Sequence, residues 1–248
     1  MKIWISGISG HMGQAVLAQA RELGIEVVGG IDVAPCADAS VPVYSSFDEA
    51  PAMGDVIIDF SKPSSLDALL RYAVKNSIPA VVATTGYDEA QLKAIDEAAK
   101  QVAIFRSANM SVGVALLRQL ARKAAEVLGD SFDIEIVETH HNRKVDAPSG
   151  TALMLYDAVK AGLSEEPTLV GGRYGRNTKR QKGEIGIHAL RGGTVTGEHE
   201  VCFFGPMERI RISHSAENRA VFAAGAIKAA EFLCGKEPGM YTMDDVVG

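Results

Sequence analysis

The stretch Lys2–Gly13 reads K-I-W-I-S-G-I-S-G-H-M-G, a short apolar run followed by a glycine at every third position. The run from Lys2 to Ser6 is typical of a buried strand, and a helical pattern follows the glycines through Leu23. Such glycines permit a tight turn, close approach of the backbone to a pyrophosphate and close helix–strand packing. The stretch therefore predicts the start of a dinucleotide-binding domain; the alternative is a glycine turn that only lets a helix pack.

An acidic residue follows the second predicted strand, Ile25–Ile31, and supports this interpretation. Asp32 lies nineteen positions after Gly13, where a carboxylate accepts hydrogen bonds from the adenosine ribose. A carboxylate there repels a 2′-phosphate, and no Lys or Arg occurs between Arg21 and Lys62. We therefore predict that NADH is preferred, while a basic side chain from elsewhere keeps NADPH possible.

Strands and helices continue to alternate, which indicates a parallel sheet. The predicted strands are 55–60, 80–84 and 102–107, and the predicted helices are 64–76 and 88–100. Ligands bind at the carboxyl ends of strands in open α/β sheets. Two such ends, Ala83-Thr84-Thr85 and Ser107-Ala108-Asn109-Met110, carry small and hydroxylated residues suited to line a nicotinamide and its ribose. The alternative for each of these residues is ordinary loop polarity.

The pattern changes after Ser111. A long helix over 112–128 leads to a strand with alternating apolar residues, and three further strand-like runs at 184–191, 195–204 and 208–215 follow one another through short turns. We expect an antiparallel or mixed sheet here, and a helix over 218–233. The segment 171–183 holds five Lys or Arg and no acidic residue, so it is either a mobile loop that attracts an anion or a solvated loop.

The stretch Glu135–Ala152, E-I-V-E-T-H-H-N-R-K-V-D-A-P-S-G-T-A, carries the chemistry. Its strand delivers Glu138, His140 and His141 to a carboxyl end, close to Arg143 and Lys144.

Ser149 is then predicted as the N-cap of a helix over 151–163, whose first N–H groups form an anion site. The whole suits a small, multiply charged anion that is held and protonated; the alternative is a solvated basic loop.

Composition limits the remaining classes. The 248 residues predict two modest domains, and the net charge of −6 argues against general nucleic-acid binding. Three cysteines without a C-x-x-C pair fit a reducing cytosol, and no apolar run reaches the length of a membrane span, so we expect a cytoplasmic protein. We expect no metal at His140 and His141, since adjacent strand residues face opposite ways. Ser149 lacks the G-x-S-x-G elbow of a hydrolase nucleophile.

Four motifs together resemble the dihydrodipicolinate reductase family: G-x-x-G-x-x-G, A-T-T-G, S-A-N-M-S-V-G and E-T-H-H-N-R-K-V-D-A-P-S-G-T-A. The resemblance runs along nearly the whole chain. It implies an α/β protein with a Rossmann-like dinucleotide-binding domain from residues 1–110 and 219–248. It also implies a central α+β domain, residues 111–218, with a mixed sheet for substrate binding and homotetramer assembly.

The implied reaction is the NAD(P)H-dependent reduction of 4-hydroxy-tetrahydrodipicolinate to tetrahydrodipicolinate, in lysine and diaminopimelate biosynthesis. Hydride adds to C4 of the cyclic dicarboxylate with loss of the 4-hydroxyl, and the resulting enamine carbon takes a proton. By position, the resemblance makes His140 the proton donor and Lys144 a second acid that also contacts substrate. The other substrate contacts it implies are His141, Ser149, Gly150, Thr151 and Arg219.

The resemblance also implies the cofactor contacts. These are Gly7, Ile8, Ser9, Gly10, His11, Met12, Asp32, Ala83, Thr84, Thr85, Ser107, Ala108, Asn109 and Met110. Two residues depart from the family pattern, which often has Arg at His11 and Phe at Met110, and both departures concern cofactor affinity. Another Rossmann-type amino-acid dehydrogenase, or a non-catalytic dinucleotide sensor, are the alternatives; neither requires the cationic, proton-donating stretch.

Overall fold

The computed structural model describes residues 1–36 and 40–248. In chain order its elements are β1 (Lys2–Ser6), α1 (His11–Glu22), β2 (Glu26–Ile31), β3 (Val43–Tyr44), β4 (Val56–Asp59), α2 (Leu66–Asn76), β5 (Ala80–Val82), α3 (Glu89–Ala99), β6 (Ala103–Arg106), α4 (Val112–Leu128), β7 (Asp133–His140), α5 (Gly150–Ala161), β8 (Thr168–Val170), β9 (Glu184–Arg191), β10 (Gly197–Phe204), β11 (Arg209–Ala216), α6 (Ala220–Leu233), β12 (Gly239–Tyr241) and α7 (Met243–Val247). The chain separates into two compact units. The first unit is Met1–Val112 with Arg219–Gly248, and the second is Gly113–Asn218.

The first unit contains a parallel sheet. Among the described residues its seven strands lie in the order β12-β6-β5-β4-β1-β2-β3. The strand order reverses between β1 and β4, and ligands of doubly wound sheets bind at such a switch point. The expected parallel α/β architecture is therefore confirmed for this unit, and the turn after β1 lies where a dinucleotide belongs.

A single tryptophan anchors β1 in the core of this unit. The ring of Trp4 is fully buried and makes edge contacts with Tyr44, Phe47 and Tyr72, with centroids 5.8, 6.2 and 6.1 Å away. Its indole N–H donates to the carbonyl of Met53 at 2.6 Å. Burial of such a ring stabilises the fold by about 2–3 kcal/mol, and it holds the strand that presents the glycine turn.

Two glycines let the turn close on its neighbours. Gly7 has a φ of +78°, and a Cβ there would lie 2.5 Å from the carbonyl oxygen of Phe60 at the end of β4. A Cβ on Gly13 would lie 2.1 Å from the carbonyl oxygen of Gly7. Gly13 thus brings α1 against the turn, as the spacing predicts.

The second unit contains a mixed sheet. In the described part of the chain its five strands lie in the order β11-β10-β7-β9-β8. Strand β7 is parallel to β9 and antiparallel to β10. Within the described residues of this unit, β10 and β11 are the only paired strands that a short turn connects, because β7 lies between β9 and β10 in the sheet. This arrangement aligns the inward residues Ile185 and Ile187 of β9 with Ile134 and Ile136 of β7.

Helices α4 and α5 cover the inner face of this mixed sheet. The core combines residues of the sheet with residues of both helices: Ile134, Ile136, Ile185, Ile187, Val201, Phe203, Leu117, Ala121, Ala125, Ala152, Leu155 and Val159. The apolar rows of β7 and β10 end here, so the residues that continue these rows are polar side chains at the edge of the core.

The sequence patterns did not predict the shortest elements of the fold. The strands β3, β8 and β12 and the helix α7 were not predicted, since two to five residues carry no usable period. The other elements agree with the expected positions within about two residues, which is the usual uncertainty at element ends. None of the helices in the described ranges combines the length and apolar character that crossing a bilayer requires.

Gly13 and Gly10 provide a matched pair of positions for a stability test. We expect Gly13→Ala to lower the free energy of unfolding by about 1–3 kcal/mol, because the new methyl group meets backbone that cannot retreat. Gly10→Ala should cost clearly less, since its Cβ would lie 3.3 Å from the carbonyl oxygen of Gly7. Denaturant titration of both variants measures this difference, and equal losses would contradict the packing role of Gly13.

Candidate active site

The inward row of β7 changes from apolar to polar at its carboxyl end. Ile134 and Ile136 lie in the core, and the next residues on the same face are Glu138 and His140, both buried. The two-residue period of a strand puts all four side chains on one face. The same rule puts His141, which follows the strand, outside this row.

One carboxylate organises the end of the row. Glu138 has no solvent exposure, and its Oε2 lies 2.6 Å from Nδ1 of His140. Its Oε1 accepts the backbone N–H of Ser149 at 2.9 Å. Arg191, at the end of β9, donates to both oxygens, at 2.7 and 2.8 Å. Burial raises the pKa of Glu138, but the hydrogen bonds from Arg191, His140 and Ser149 outweigh burial and hold that pKa below its usual range. The carboxylate is therefore ionised at neutral pH.

Helix α5 begins beside this carboxylate. Ser149 is its N-cap, as expected, and the Ser149 hydroxyl accepts the N–H of Ala152 at 3.2 Å. The helix starts at Gly150, one residue before the expected start. Its first turn carries the partial positive charge of the helix dipole, so Gly150 and Thr151 stand at the end of the helix that favours an anion.

A second histidine, not identified from the sequence, supports this cap. Nε2 of His199 on β10 lies 3.1 Å from the Ser149 hydroxyl, and its ring packs edge-on against His140 with centroids 5.1 Å apart. Burial, followed by the neighbouring His140, lowers the pKa of His199 to about 4. Among the described residues, Nδ1 of His199 has no hydrogen-bond partner. His199 is therefore neutral at physiological pH.

The loop between β7 and α5 carries the cations. Nζ of Lys144 lies 2.9 Å from Asp146, whose pKa is lowered mainly by that hydrogen bond. Arg191 also donates to the carbonyl of Asp146 at 2.7 Å, and the backbone N–H of His141 donates to Val195 at 2.8 Å. The structure thus ties the lysine-bearing loop to β9 and to the β9–β10 turn.

The crevice at the switch point of the first unit has the features of a dinucleotide site. A cavity of about 560 Å³ is lined by Gly7, Ser9, Gly10 and Asp32 of the expected set, together with Lys62. The carboxylate of Asp32 accepts the N–H groups of Ser9 and Ala34, both at 3.0 Å.

Three features of this crevice fit a dinucleotide. The turn admits no Cβ at Gly7, and in the described part of the chain the N-terminus of α1 has no side-chain cap at Gly10. Asp32 adds an acid at the ribose position.

The other expected cofactor residues lie elsewhere on this unit. Ala83 and Thr84 are buried after β5 and Thr85 is exposed. After β6, a turn joins Ser107, Asn109 and Ser111 by hydrogen bonds, with Ala108 exposed and Met110 buried. Ile8 is buried beneath the glycine turn, while His11 and Met12 start α1. Arg219 is exposed and stands at the N-cap position of α6.

Sequence reasoning also missed a buried acid under the crevice. Asp59, at the end of β4, is 1% exposed and accepts the hydroxyl of Ser61 at 2.5 Å. Burial raises the pKa of Asp59, which the hydrogen bond from Ser61 opposes. Its position directly after the three buried apolar residues of β4 is the signal available in the sequence.

The basic segment 171–183 is partly paired. Arg173 and Arg180 each contact Glu135 on the outward face of β7, at 2.8 and 2.9 Å, and Arg173 also contacts Glu184 at 2.9 Å. Two of its cations therefore fasten the segment to the sheet. In residues 1–36 and 40–248 no cluster of three or more His, Cys, Asp or Glu side chains is arranged for a metal ion.

The low pKa of His199 gives a stability prediction. The unfolded chain takes up a proton at this residue near pH 6.5, whereas native His199 stays neutral until about pH 4. The free energy of unfolding should therefore fall by about 2 kcal/mol between pH 7.5 and pH 5 through this residue. His199→Gln should show a correspondingly smaller fall in denaturant titrations at the two pH values. An unchanged pH dependence in the variant would contradict the assignment.

Comparisons with known proteins give matches to one family along the whole chain. Models of the N-terminal and C-terminal parts of dihydrodipicolinate reductase match residues 1–110 and 113–247. A 4-hydroxy-tetrahydrodipicolinate reductase of Caldanaerobacter subterraneus subsp. tengcongensis is 51% identical, covering 100% of this chain and 98% of the relative. One from Clostridium novyi is 46% identical, covering 99% and 98%.

A solved structure shares the fold. Dipicolinate-bound dihydrodipicolinate reductase from Paenisporosarcina sp. TG-14 has a TM-score of 0.82 at 22% identity, covering 99% of this chain and 98% of that one. The chain therefore belongs to the dihydrodipicolinate reductase family, the NAD(P)H-dependent 4-hydroxy-tetrahydrodipicolinate reductases of lysine and diaminopimelate biosynthesis.

Proposed function

We propose that this chain reduces 4-hydroxy-tetrahydrodipicolinate to tetrahydrodipicolinate with His140 as the proton donor. The observation that carries the proposal is the buried contact between Glu138 and Nδ1 of His140, at 2.6 Å. With Nδ1 engaged, Nε2 is the ring nitrogen that remains for a substrate. A histidine changes charge near neutral pH, which suits a group that gives up a proton in each turnover.

The substrate's negative charges match the positive groups of the second unit. We infer that Lys144 holds one carboxylate of the substrate and acts as a second acid, and that His141 touches the substrate. The N–H groups of Gly150 and Thr151, with Ser149 as the cap, would hold a carboxylate at the start of α5. The salt bridge between Lys144 and Asp146 supports this inference because it holds the Lys144 ammonium in the loop that leads into α5. Arg219 is assigned to the substrate on the family resemblance alone.

The proton transfer follows from these positions. The 4-hydroxyl of the substrate leaves as water, and a nicotinamide cofactor, when bound, would supply a hydride to C4 of the resulting conjugated ring, which leaves an enamine. The protonated imidazole of His140 then gives its Nε2 proton to the enamine carbon and retains the proton on Nδ1. Glu138 stabilises the positive ring before the transfer, and the cation of Lys144 offsets negative charge on the substrate.

We infer that the first unit binds the cofactor through the glycine turn from Gly7 to Met12 and through Asp32. The strand ends at Ala83–Thr85 and Ser107–Met110 would complete the contacts. NADH is the proposed preferred cofactor because the carboxylate of Asp32 would repel a 2′-phosphate. The presence of Lys62 in the same cavity supports acceptance of NADPH as well.

The homotetramer and the cytoplasmic location remain expectations. The tetramer rests on the family resemblance, and light scattering of the purified protein measures it. Free Cys36, Cys202 and Cys234 are consistent with a reducing compartment.

A coupled assay tests the reaction and the cofactor together. Dihydrodipicolinate synthase supplies the substrate in situ, and loss of NADH or NADPH is followed by absorbance. We expect substrate-dependent oxidation of both cofactors, with the higher kcat/KM for NADH. Equal or better efficiency with NADPH would refute the role of Asp32. No oxidation despite demonstrated NADH binding would favour another substrate or a dinucleotide sensor.

Substitution of the two catalytic candidates should give different kinetic signatures. We expect His140→Gln to lower kcat by about 10²-fold or more with little change in cofactor affinity, because only proton donation is lost. Lys144→Ala should lower kcat and raise KM, because it removes a substrate contact as well. Steady-state kinetics and NADH titration measure both. A near wild-type kcat in His140→Gln would exclude His140 as the donor.

A further inference from the structure

Within the described residues, each near polar contact of the buried Glu138 carboxylate is with a hydrogen-bond donor. Oε2 faces Nδ1 of His140 and one nitrogen of Arg191, and Oε1 faces the N–H of Ser149 and the other nitrogen of Arg191. These four contacts span 2.6 to 2.9 Å. One side chain thereby joins the proposed proton donor, the cap of α5 and the end of β9.

This arrangement dictates where the proton of His140 resides. An ionised carboxylate only accepts hydrogen bonds, so Nδ1 of His140 carries a hydrogen in both charge states of the ring. The atom that gains and loses a proton is therefore Nε2. A Cβ at position 197 would lie 3.0 Å from Nε2, so the glycine at this position avoids crowding that nitrogen.

Arg191 balances the electrostatic effect of the carboxylate. A lone buried anion beside an imidazole would hold the positive ring strongly, and the ring would give up its proton reluctantly. The bidentate guanidinium offsets that anion and also removes the penalty of burying it alone. Through the Asp146 carbonyl, the same guanidinium ties down the loop that carries Lys144.

We propose that Glu138 and Arg191 are positioning residues, which fix the tautomer of His140 and tune how readily it donates its proton. The proposal rests on the proposed role of His140 as the donor. Among the described residues, the titratable or charged groups that contact His140 or its partner Glu138 are Glu138 on its own strand, Arg191 on β9 and His199 on β10. The charges of His214 on β11 and of Lys144 in the following loop act on His199. Of these, only Glu138 and Arg191 form the ion pair to which His140 is bonded.

Two variants with opposite charge effects test the proposal. Glu138→Gln removes the negative charge beside His140, so the alkaline limb of the kcat profile should move to lower pH by about one unit. Arg191→Gln leaves the negative charge uncompensated, so the same limb should move to higher pH. Each variant should lower kcat by about 10- to 100-fold, as expected when a general acid loses its alignment. Both remove half of a buried pair and lose stability, so a purely structural role predicts shifts of the same sign or none.

The opposite face of β7 offers a matched control. Glu135, which lies on the same strand as Glu138 but on the face away from His140, is paired with Arg173 at 2.8 Å. Glu135→Gln and Arg173→Gln should lower stability and leave the pH at which kcat falls unchanged. The double variant Glu138→Gln/Arg191→Gln carries no unpaired buried charge. It keeps the test available if a single variant does not fold, and its kcat should still fall.

The ring of His140 provides a readout that does not depend on turnover. The ¹⁵N shifts of the imidazole at high pH should show hydrogen on Nδ1 in the wild type and a mixture of tautomers in the double variant. Hydrogen on Nε2 in the wild type, or pH shifts of equal sign in the two single variants, would overturn the proposal. A fully active His140→Gln would instead refute the donor role while leaving the tautomer result intact.

Discussion

The second unit depends on a carboxylate that has no contact with solvent. An isolated anion in such a place costs several kcal/mol, and the fold offsets that cost with a guanidinium, an imidazole and a backbone N–H. These donors come from β9, from β7 itself and from the cap of α5, which are far apart in sequence. The same contacts that make burial of Glu138 tolerable therefore set the positions of His140 and of the helix N-terminus.

The chemistry follows from the boundary between this polar cluster and the apolar core. The inward rows of β7 and β10 begin with Ile134, Ile136, Val201 and Phe203 and continue as Glu138, His140 and His199. Packing of α4 and α5 on the apolar part makes the neighbouring polar part rigid. A side chain on a strand that is fixed in this way, such as the proposed proton donor His140, needs little reorganisation during a reaction.

In the first unit the controlling constraint is space. The turn after β1 approaches the end of β4 and the start of α1 so closely that side chains are excluded at Gly7 and Gly13. The cavity at this point is open because the strand order reverses there, which moves the following helices to opposite faces. Asp32 then closes the turn by accepting N–H groups from Ser9 and Ala34.

Much of both units was predictable from local pattern. The alternation of strands and helices, the glycine turn, Asp32 and the cap at Ser149 were each visible in a few neighbouring residues. The place of β9 beside β7 was not, because parallel pairing joins residues about fifty positions apart and leaves no local period. The short strands β3, β8 and β12 were missed because their pairing, rather than their composition, defines them.

The sequence by itself therefore determined the fold class, the family and the residue types available for chemistry, since these depend on local spacing and on motifs. Only the tertiary structure decided which of those residues act on one another. Arg191 and His199 stand in unremarkable strand patterns, and their meeting with Glu138, His140 and Ser149 results from strand order and register. The physical reason is that a buried charge selects its partners by proximity across strands, which a linear pattern does not encode.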